Sequence, residues 1–126
     1  MPHDALVEHC LELLSPLGSV RARRMFGGYG LYVDELFVAL IAFERLYLKA
    51  DDSTRGSFVA AGCEPFVYET RKGEQTASVA LGYFSAPDEA MESPALMQPW
   101  ARLALEAALR ARAAKKAPAK PARPRR

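Results

Sequence analysis

The chain has 126 residues, half of them hydrophobic and a quarter charged, which is typical of one soluble globular domain. No stretch reaches the roughly 20 apolar residues that a membrane-spanning helix needs, and the N-terminus lacks the basic-then-apolar layout of a secretory signal. Two cysteines, Cys10 and Cys63, are too few for a disulfide framework, so we expect free thiols. The sequence therefore favours a cytoplasmic protein without a membrane segment.

The formal net charge of +2 conceals an uneven distribution of charge along the chain. All 15 acidic residues lie within residues 1–109 beside nine basic ones, which gives this part a formal charge of −6. Residues 112–126 place prolines among alanine, lysine and arginine, with too little apolar surface to offset the entropy of ordering them. We therefore predict a folded domain over residues 1–111 and a disordered basic tail over residues 112–126. The basic residues of the C-terminal part are Arg110, Arg112, Lys115, Lys116, Lys120, Arg123, Arg125 and Arg126.

The residue pattern of the N-terminal half predicts one helix followed by four strands. A stripe of apolar residues indicates a helix over residues 4–14. Residues 36–43 are apolar at every position, which favours a central strand covered on both faces. The connections are too short for parallel crossovers and therefore favour an antiparallel meander, with a tight turn at Asp34-Glu35. The four predicted strands of this half are residues 20–26, 29–33, 36–43 and 46–50.

The C-terminal half predicts a short helix, two more strands and a long helix. The short helix follows a cap near Asp51 and ends at about Ala61, and the strands are residues 64–69 and 76–84. Ser93-Pro94 has the features of a helix start. Pro99, however, would break a helix that had begun at Pro94, so we expect the long helix to begin at Pro99. The predicted fold class is α+β, in two layers: an antiparallel sheet of about five to six strands backed by helices.

Residue types that carry catalysis or bind metal are sparse. His9 directly precedes Cys10 on the predicted first helix, and adjacent helical residues point in different directions, which disfavours a Cys–His pair. The run Gly27-Gly28-Tyr29-Gly30 lacks the lysine and Ser/Thr of a phosphate-binding loop and indicates a hairpin turn. The paired carboxylates lie at predicted turns and helix starts, where turn geometry and the helix dipole explain them. We therefore predict no catalytic residue, no metal site and no cofactor, and a binding or regulatory module instead of an enzyme.

The first predicted strand and its turn form a candidate surface for a partner. With a period of two, Arg21 and Arg23 face one side of the sheet, whereas Arg24 lies on the apolar side. Two interpretations stay open: a solvated basic strand, or a cationic and aromatic surface that binds an anionic or protein partner. The candidate partner surface comprises Arg21, Arg23, Arg24, Met25, Phe26 and Tyr29.

Four blocks of sequence together resemble the N-terminal domain of the TfoX/Sxy family, which is named for bacterial regulators of natural competence. They are RRMFGGYGLYVD, LFVALIAFERLYLKADD, AAGCEPFVYE and Pro99-Trp100-Ala101-Arg102, in the family's order, and the likeness spans most of residues 5–110. The resemblance implies a compact α+β domain, similar to type III secretion chaperones, and a role as a regulator or co-regulator of transcription. It implies no catalytic residues. Full-length competence regulators have a second, C-terminal domain, where this sequence has the basic tail.

Two functions follow as hypotheses. The first is a TfoX-like regulatory module that binds a protein partner, with weak, non-specific nucleic-acid contact through the eight basic residues from Arg110 onward. Such a tail acts by neutralising phosphates and carries no base information. The alternative is a protein-interaction or chaperone-like homodimer without a nucleic-acid role, because small sheets often cover one face with a second copy. In that case the tail serves solubility only.

Overall fold

The computed structural model of the chain describes residues 2–25, 28–68 and 78–116. Single 3-10 turns lie at Ser15–Leu17 and Asp88–Glu92. The helices are α1 (Pro2–Leu14), α2 (Arg55–Ala60) and α3 (Pro94–Lys116). The strands are β1 (Val20–Met25), β2 (Gly28–Val33), β3 (Leu36–Ala42), β4 (Arg45–Lys49), β5 (Pro65–Tyr68) and β6 (Ser78–Ser85).

The strands form one antiparallel sheet in the order β1-β2-β3-β4-β6-β5. Two-residue turns join β2 to β3 and β3 to β4, and all four turn residues have positive φ, as type I′ hairpins require. Only β5 and β6 depart from the simple meander, because β6 inserts between β4 and β5. The predicted α+β class, the antiparallel sheet and its helical backing are confirmed.

β3 has the predicted central position, and a bulge decides what it buries. Leu31 of β2 pairs with Ala39, but the next residue, Tyr32, pairs with Phe37, so Val38 is an extra residue. The bulge turns both Val38 and Ala39 into the core. On the opposite face Phe37 is only half-buried. The expectation that β3 is covered on both faces is therefore wrong.

The helices pack together on one face of the sheet, which we call the helix side. α1 and α3 bury an apolar stripe there, and Phe58 of α2 stacks on Phe84 of β6 at 5.7 Å between ring centroids and contacts Trp100 of α3. Cys10 lies in this core as a free thiol, and burial raises its pKa to about 12. The other cysteine, Cys63, is also free and is half-buried.

The last helix begins earlier than we predicted. Ser93 caps it, because its Oγ accepts the N–H of Leu96 and its carbonyl accepts the N–H of Met97. Pro99 therefore lies inside α3 and does not begin it. A proline there removes one backbone hydrogen bond in the second turn, and the cap and the burial of Met97 and Ala101 against the core offset that loss.

α3 also continues to Lys116, five residues beyond the predicted end of the domain. Residues 117–126 lie outside the described residues, as do Phe26, Gly27 and residues 69–77, which join the predicted strands 64–69 and 76–84. Disorder of the tail beyond Lys116 therefore stays a prediction. Among the described residues, no helix is long and apolar enough to cross a membrane.

Candidate binding surface

His9 is held by a backbone contact with a distant part of the chain. His9 donates from Nε2 to the carbonyl of Met91 at 2.6 Å and does not pair with Cys10. No group of three or more His, Cys, Asp or Glu side chains among residues 2–25, 28–68 and 78–116 could hold a metal ion.

A polar cleft of about 700 Å³ lies beside the start of β4, and its lining includes Cys63, Glu64 and Asp88. Desolvation raises the pKa of the Cys63 thiol, so it is protonated at neutral pH and weakly nucleophilic. Glu64 is occupied by an ion pair with Arg45, whose Nη1 lies 2.7 Å from Oε1. Neither Cys63 nor Glu64 is therefore activated as a nucleophile or base.

β1 is an edge strand, and its register fixes the direction of its arginines. Arg21 pairs with Tyr32 and Arg23 pairs with Gly30, on the face of the sheet opposite the helices, which we call the open face. Arg24 pairs with Tyr29 on the helix side, as the period of two predicts. Arg23 and Arg24 are exposed, so β1 presents a guanidinium on each side of the sheet edge.

Arg21 is held by the turn that follows β2. Its Nε and Nη2 donate to the carboxylate of Glu35 at 3.0 and 2.6 Å, and its guanidinium lies 5.0 Å from the centre of the Tyr32 ring. The hydrogen bond from Arg21 holds the pKa of Glu35 below its usual range. The neighbouring Asp34 accepts the N–H of Ser19 at 3.0 Å and so ties the turn to the start of β1. These contacts keep Arg21 in a fixed position on the open face.

Aromatic rings gather on the open face in two rows. In the first row, Phe37 lies between Tyr32 and Tyr83, with ring centroids 5.2 and 5.9 Å away. In the second row, Phe66 lies between Tyr47 and Phe43, at 5.0 and 6.2 Å. We call these six residues the aromatic face.

Cations accompany both rows. Lys49 lies 5.1 Å from the centre of the Tyr83 ring and donates to its hydroxyl at 3.5 Å, and burial raises the pKa of Tyr83 to about 12. Arg45 lies 5.9 Å from the centre of the Tyr47 ring. Cation–π contacts of this kind hold a charged group against a ring at the surface. The face therefore combines flat apolar groups with fixed positive charge.

The structure brings only part of the predicted partner surface together. Arg21, Arg23 and Met25 lie on the open face, whereas Arg24 and Tyr29 lie on the helix side, where the guanidinium is 6.0 Å from the ring centre. Phe26, also predicted to belong to this surface, lies outside the described residues.

Most of the aromatic face is not predicted by the sequence pattern. Tyr47 and Lys49 alternate with Leu46 and Leu48, a pattern that indicates their outward direction. The outward direction of Phe37 cannot be recognised from the sequence, because every residue around it is apolar. Its contact with Tyr83 joins strands that are far apart in sequence.

The basic residues predicted to form the tail lie in different parts of the structure. Arg110 donates from Nε and Nη2 to the carboxylate of Asp51 at 2.7 and 3.1 Å, so it belongs to the fold of the domain. Arg112 is exposed on α3, and Lys115 and Lys116 lie in the last turn of the same helix. Lys120, Arg123, Arg125 and Arg126 lie outside the described residues.

Comparison with known proteins decides the family. The family model described as the TfoX N-terminal domain matches residues 12–108, which is most of the chain. The chain belongs to the TfoX N-terminal domain family. A curated relative, the DNA transformation protein TfoX1 of Aliivibrio fischeri, is 28% identical over 90 residues, which cover 71% of this chain. The match spans 41% of that relative's own length, so the chain corresponds to less than half of it. The TfoX match confirms the family that the four sequence blocks indicate.

Proposed function

We propose that this chain is a TfoX-like regulatory module of the transcription co-regulator type, working in the bacterial cytoplasm by binding a protein partner and without catalysis. The observation that carries the proposal is the edge strand β1. All six of its residues are exposed or half-buried, and two exposed arginines point to opposite sides of the sheet. Membership of a family that is known as regulatory supports the same role.

The chemistry of β1 suits an extended segment of a partner protein. An edge strand presents unpaired N–H and C=O groups to which an incoming strand can add, and its side chains then select the partner. Arg23 on the open face and Arg24 on the helix side would meet alternate residues of such a strand, because successive side chains alternate between faces. Arginine suits this role because its planar fork binds carboxylates with two hydrogen bonds. An acidic or mixed-charge segment is therefore the expected partner.

Affinity capture from the native cell, run with and without nuclease, tests the partner. The intact chain should capture a protein that survives nuclease treatment, and Arg23→Glu should reduce its yield about tenfold. Arg102→Glu, which changes another exposed arginine on α3, is the matched control and should leave the yield unchanged. Equal capture by all three chains, or loss of the partner with nuclease, would count against the proposal.

The basic tail adds weak, non-specific contact with nucleic acid in this proposal. Each phosphate contact that is lost should reduce the salt dependence of binding, because fewer counterions are released. A full-length chain with Lys120, Arg123, Arg125 and Arg126 all replaced by glutamine, the tail-neutralised chain, should therefore bind duplex DNA more weakly, with a flatter slope against salt in a mobility-shift assay. If both chains bind equally, or neither binds, the tail has no such role.

A further inference from the structure

We propose that the aromatic face binds single-stranded nucleic acid. This inference goes beyond the proposed protein partner on β1 and beyond phosphate contact by the tail. It rests on three observations: how charge is divided between strands and the rest of the domain, how the rings are arranged, and the backbone conformation of Phe43.

The strands differ from the rest of the domain in charge. The six strands contain five cations, Arg21, Arg23, Arg24, Arg45 and Lys49, and no carboxylate. The 13 acidic residues in the described part of the chain lie outside these strands, in a domain whose first 109 residues are acidic as a whole. Glu35 and Glu64 reach two of these cations from the margins of the sheet. A polyanion would therefore be attracted to the sheet and repelled by α1 and by the acidic turns and loops around the sheet.

The rings add what a simple basic patch lacks. Surfaces that bind single strands combine cations along the backbone with aromatic side chains on which successive bases stack. Tyr32, Phe37 and Tyr83 form a half-buried row across β2, β3 and β6, with Arg21 and Lys49 beside the outer rings. Bases of a duplex are stacked on each other and cannot use such rings. The face therefore suits a single strand.

Phe43 is the third observation. It lies at the first position of the turn between β3 and β4 with a φ of +54°, a conformation that bulky residues rarely adopt, and 73% of its surface is exposed. Its ring contacts Phe66 at the edge of the aromatic face. Strain of this kind concentrates at functional sites, where the side chain serves binding instead of stability.

A second copy of the chain is a poorer occupant of this face. Pairing two open faces would bring together two surfaces of the same net sign, because Arg21, Arg23, Arg45 and Lys49 outnumber Glu35 and Glu64, and like charges across an interface are unfavourable. A single strand instead supplies phosphates for the cations and bases for the rings.

Fluorescence anisotropy on the tail-neutralised chain tests the proposal without interference from the tail. The probes are a labelled oligothymidine of about twelve nucleotides, within the site sizes such surfaces cover, the same strand in a duplex, and a polyglutamate peptide of equal charge. The single strand should bind at least tenfold more tightly than the other two. The double variant Tyr32→Leu, Phe37→Leu keeps apolar volume but removes two stacking planes, and should weaken single-strand binding by tenfold or more.

Phe43→Asn provides a second variant, since it alters an exposed residue and does not threaten folding. It should weaken single-strand binding severalfold, whereas Val59→Asn, which changes an exposed apolar residue on α2, should have no effect. Three results would overturn the proposal. The first is equal binding of all three probes, or no binding of any. The second is preference for polyglutamate, which would indicate an acidic protein as the partner. The third is a dimer in sedimentation that the double variant Tyr32→Leu, Phe37→Leu dissociates.

Discussion

Phe43 has a backbone conformation that opposes stability. A left-handed conformation costs about 1–3 kcal/mol in a residue that does not favour it, and the contact with Phe66 returns about 0.5–1.5 kcal/mol. Asparagine tolerates this conformation well. We expect Phe43→Asn to raise the free energy of unfolding by about 1 kcal/mol, as measured by urea denaturation.

Val59→Asn is the control for that prediction, because Val59 is equally apolar and 58% exposed but lies in a helix. Asparagine is no better than valine there, so no stabilisation is expected. If Phe43→Asn lowers the free energy of unfolding, the turn is not strained and Phe43 contributes to the fold.

Gly28 shows the opposite case, a residue whose missing side chain the fold requires. A Cβ at this position would lie 2.0 Å from the carbonyl oxygen of Ile41 on the neighbouring strand. Since backbone atoms of a central strand cannot move aside, Gly28→Ala should lower the free energy of unfolding by about 3 kcal/mol. The change should appear as a reduced midpoint in thermal and urea denaturation.

Gly56→Ala is the matched control. A Cβ there meets no atom within 4 Å, and alanine favours the helix, so stability should rise by about 0.5–1 kcal/mol. Equal effects at the two glycines would mean that β2 and β3 are not in the register described above. The sequence alone gives no means of distinguishing them, because the difference depends on the atoms that each glycine faces.

At the scale of elements, the ion pair of Arg110 with Asp51 joins α3 to the segment between β4 and α2. The hydrogen bond from Arg110 holds the pKa of Asp51 below its usual range. A carboxyl whose pKa is lowered by folding stabilises the protein above its unfolded pKa of about 3.9, and this contribution is lost as pH falls through the folded pKa. Arg110→Gln should therefore lower the urea midpoint at neutral pH.

The difference between the native chain and Arg110→Gln should shrink in acid, once Asp51 is protonated in both. Arg102→Gln, on the same helix, should leave the midpoint unchanged at every pH. A constant difference for Arg110→Gln across the pH range would show that the guanidinium acts by packing and not by charge.

The position of a secondary-structure element was predictable where neighbouring residues in the sequence determine it. The turn at Asp34-Glu35 indicates the first hairpin correctly, because a type I′ turn is a local property. The second turn was misplaced by one residue: the predicted strands 36–43 and 46–50 leave residues 44–45 for it, whereas the structure places it at Phe43-Glu44. Pro99 misled the sequence analysis, since the cap at Ser93 and the burial of Met97 outweigh one lost hydrogen bond. The bulge at Val38 could not be predicted from the sequence either, because it depends on how β3 pairs with β2.

At the scale of the whole molecule, the surface was only partly predictable. The outward direction of Arg21 and Arg23 follows from alternation along one strand. The aromatic face does not, because its first row draws Tyr32, Phe37 and Tyr83 from three strands whose order in the sheet is a tertiary property. Composition also hides the distribution of charge, which becomes visible only when the five strand cations are set against the carboxylates of α1, the turns and the loops.

Site-specific photo-crosslinking in the native cell tests the central claim, that the domain acts by binding a protein along β1. A photoreactive amino acid replaces Arg23 in one chain and Arg102, an exposed arginine of α3, in the other. We expect a discrete protein adduct at position 23 that survives nuclease and is absent at position 102. Adducts of equal intensity at both positions would contradict this claim. So would the absence of a nuclease-resistant adduct at position 23.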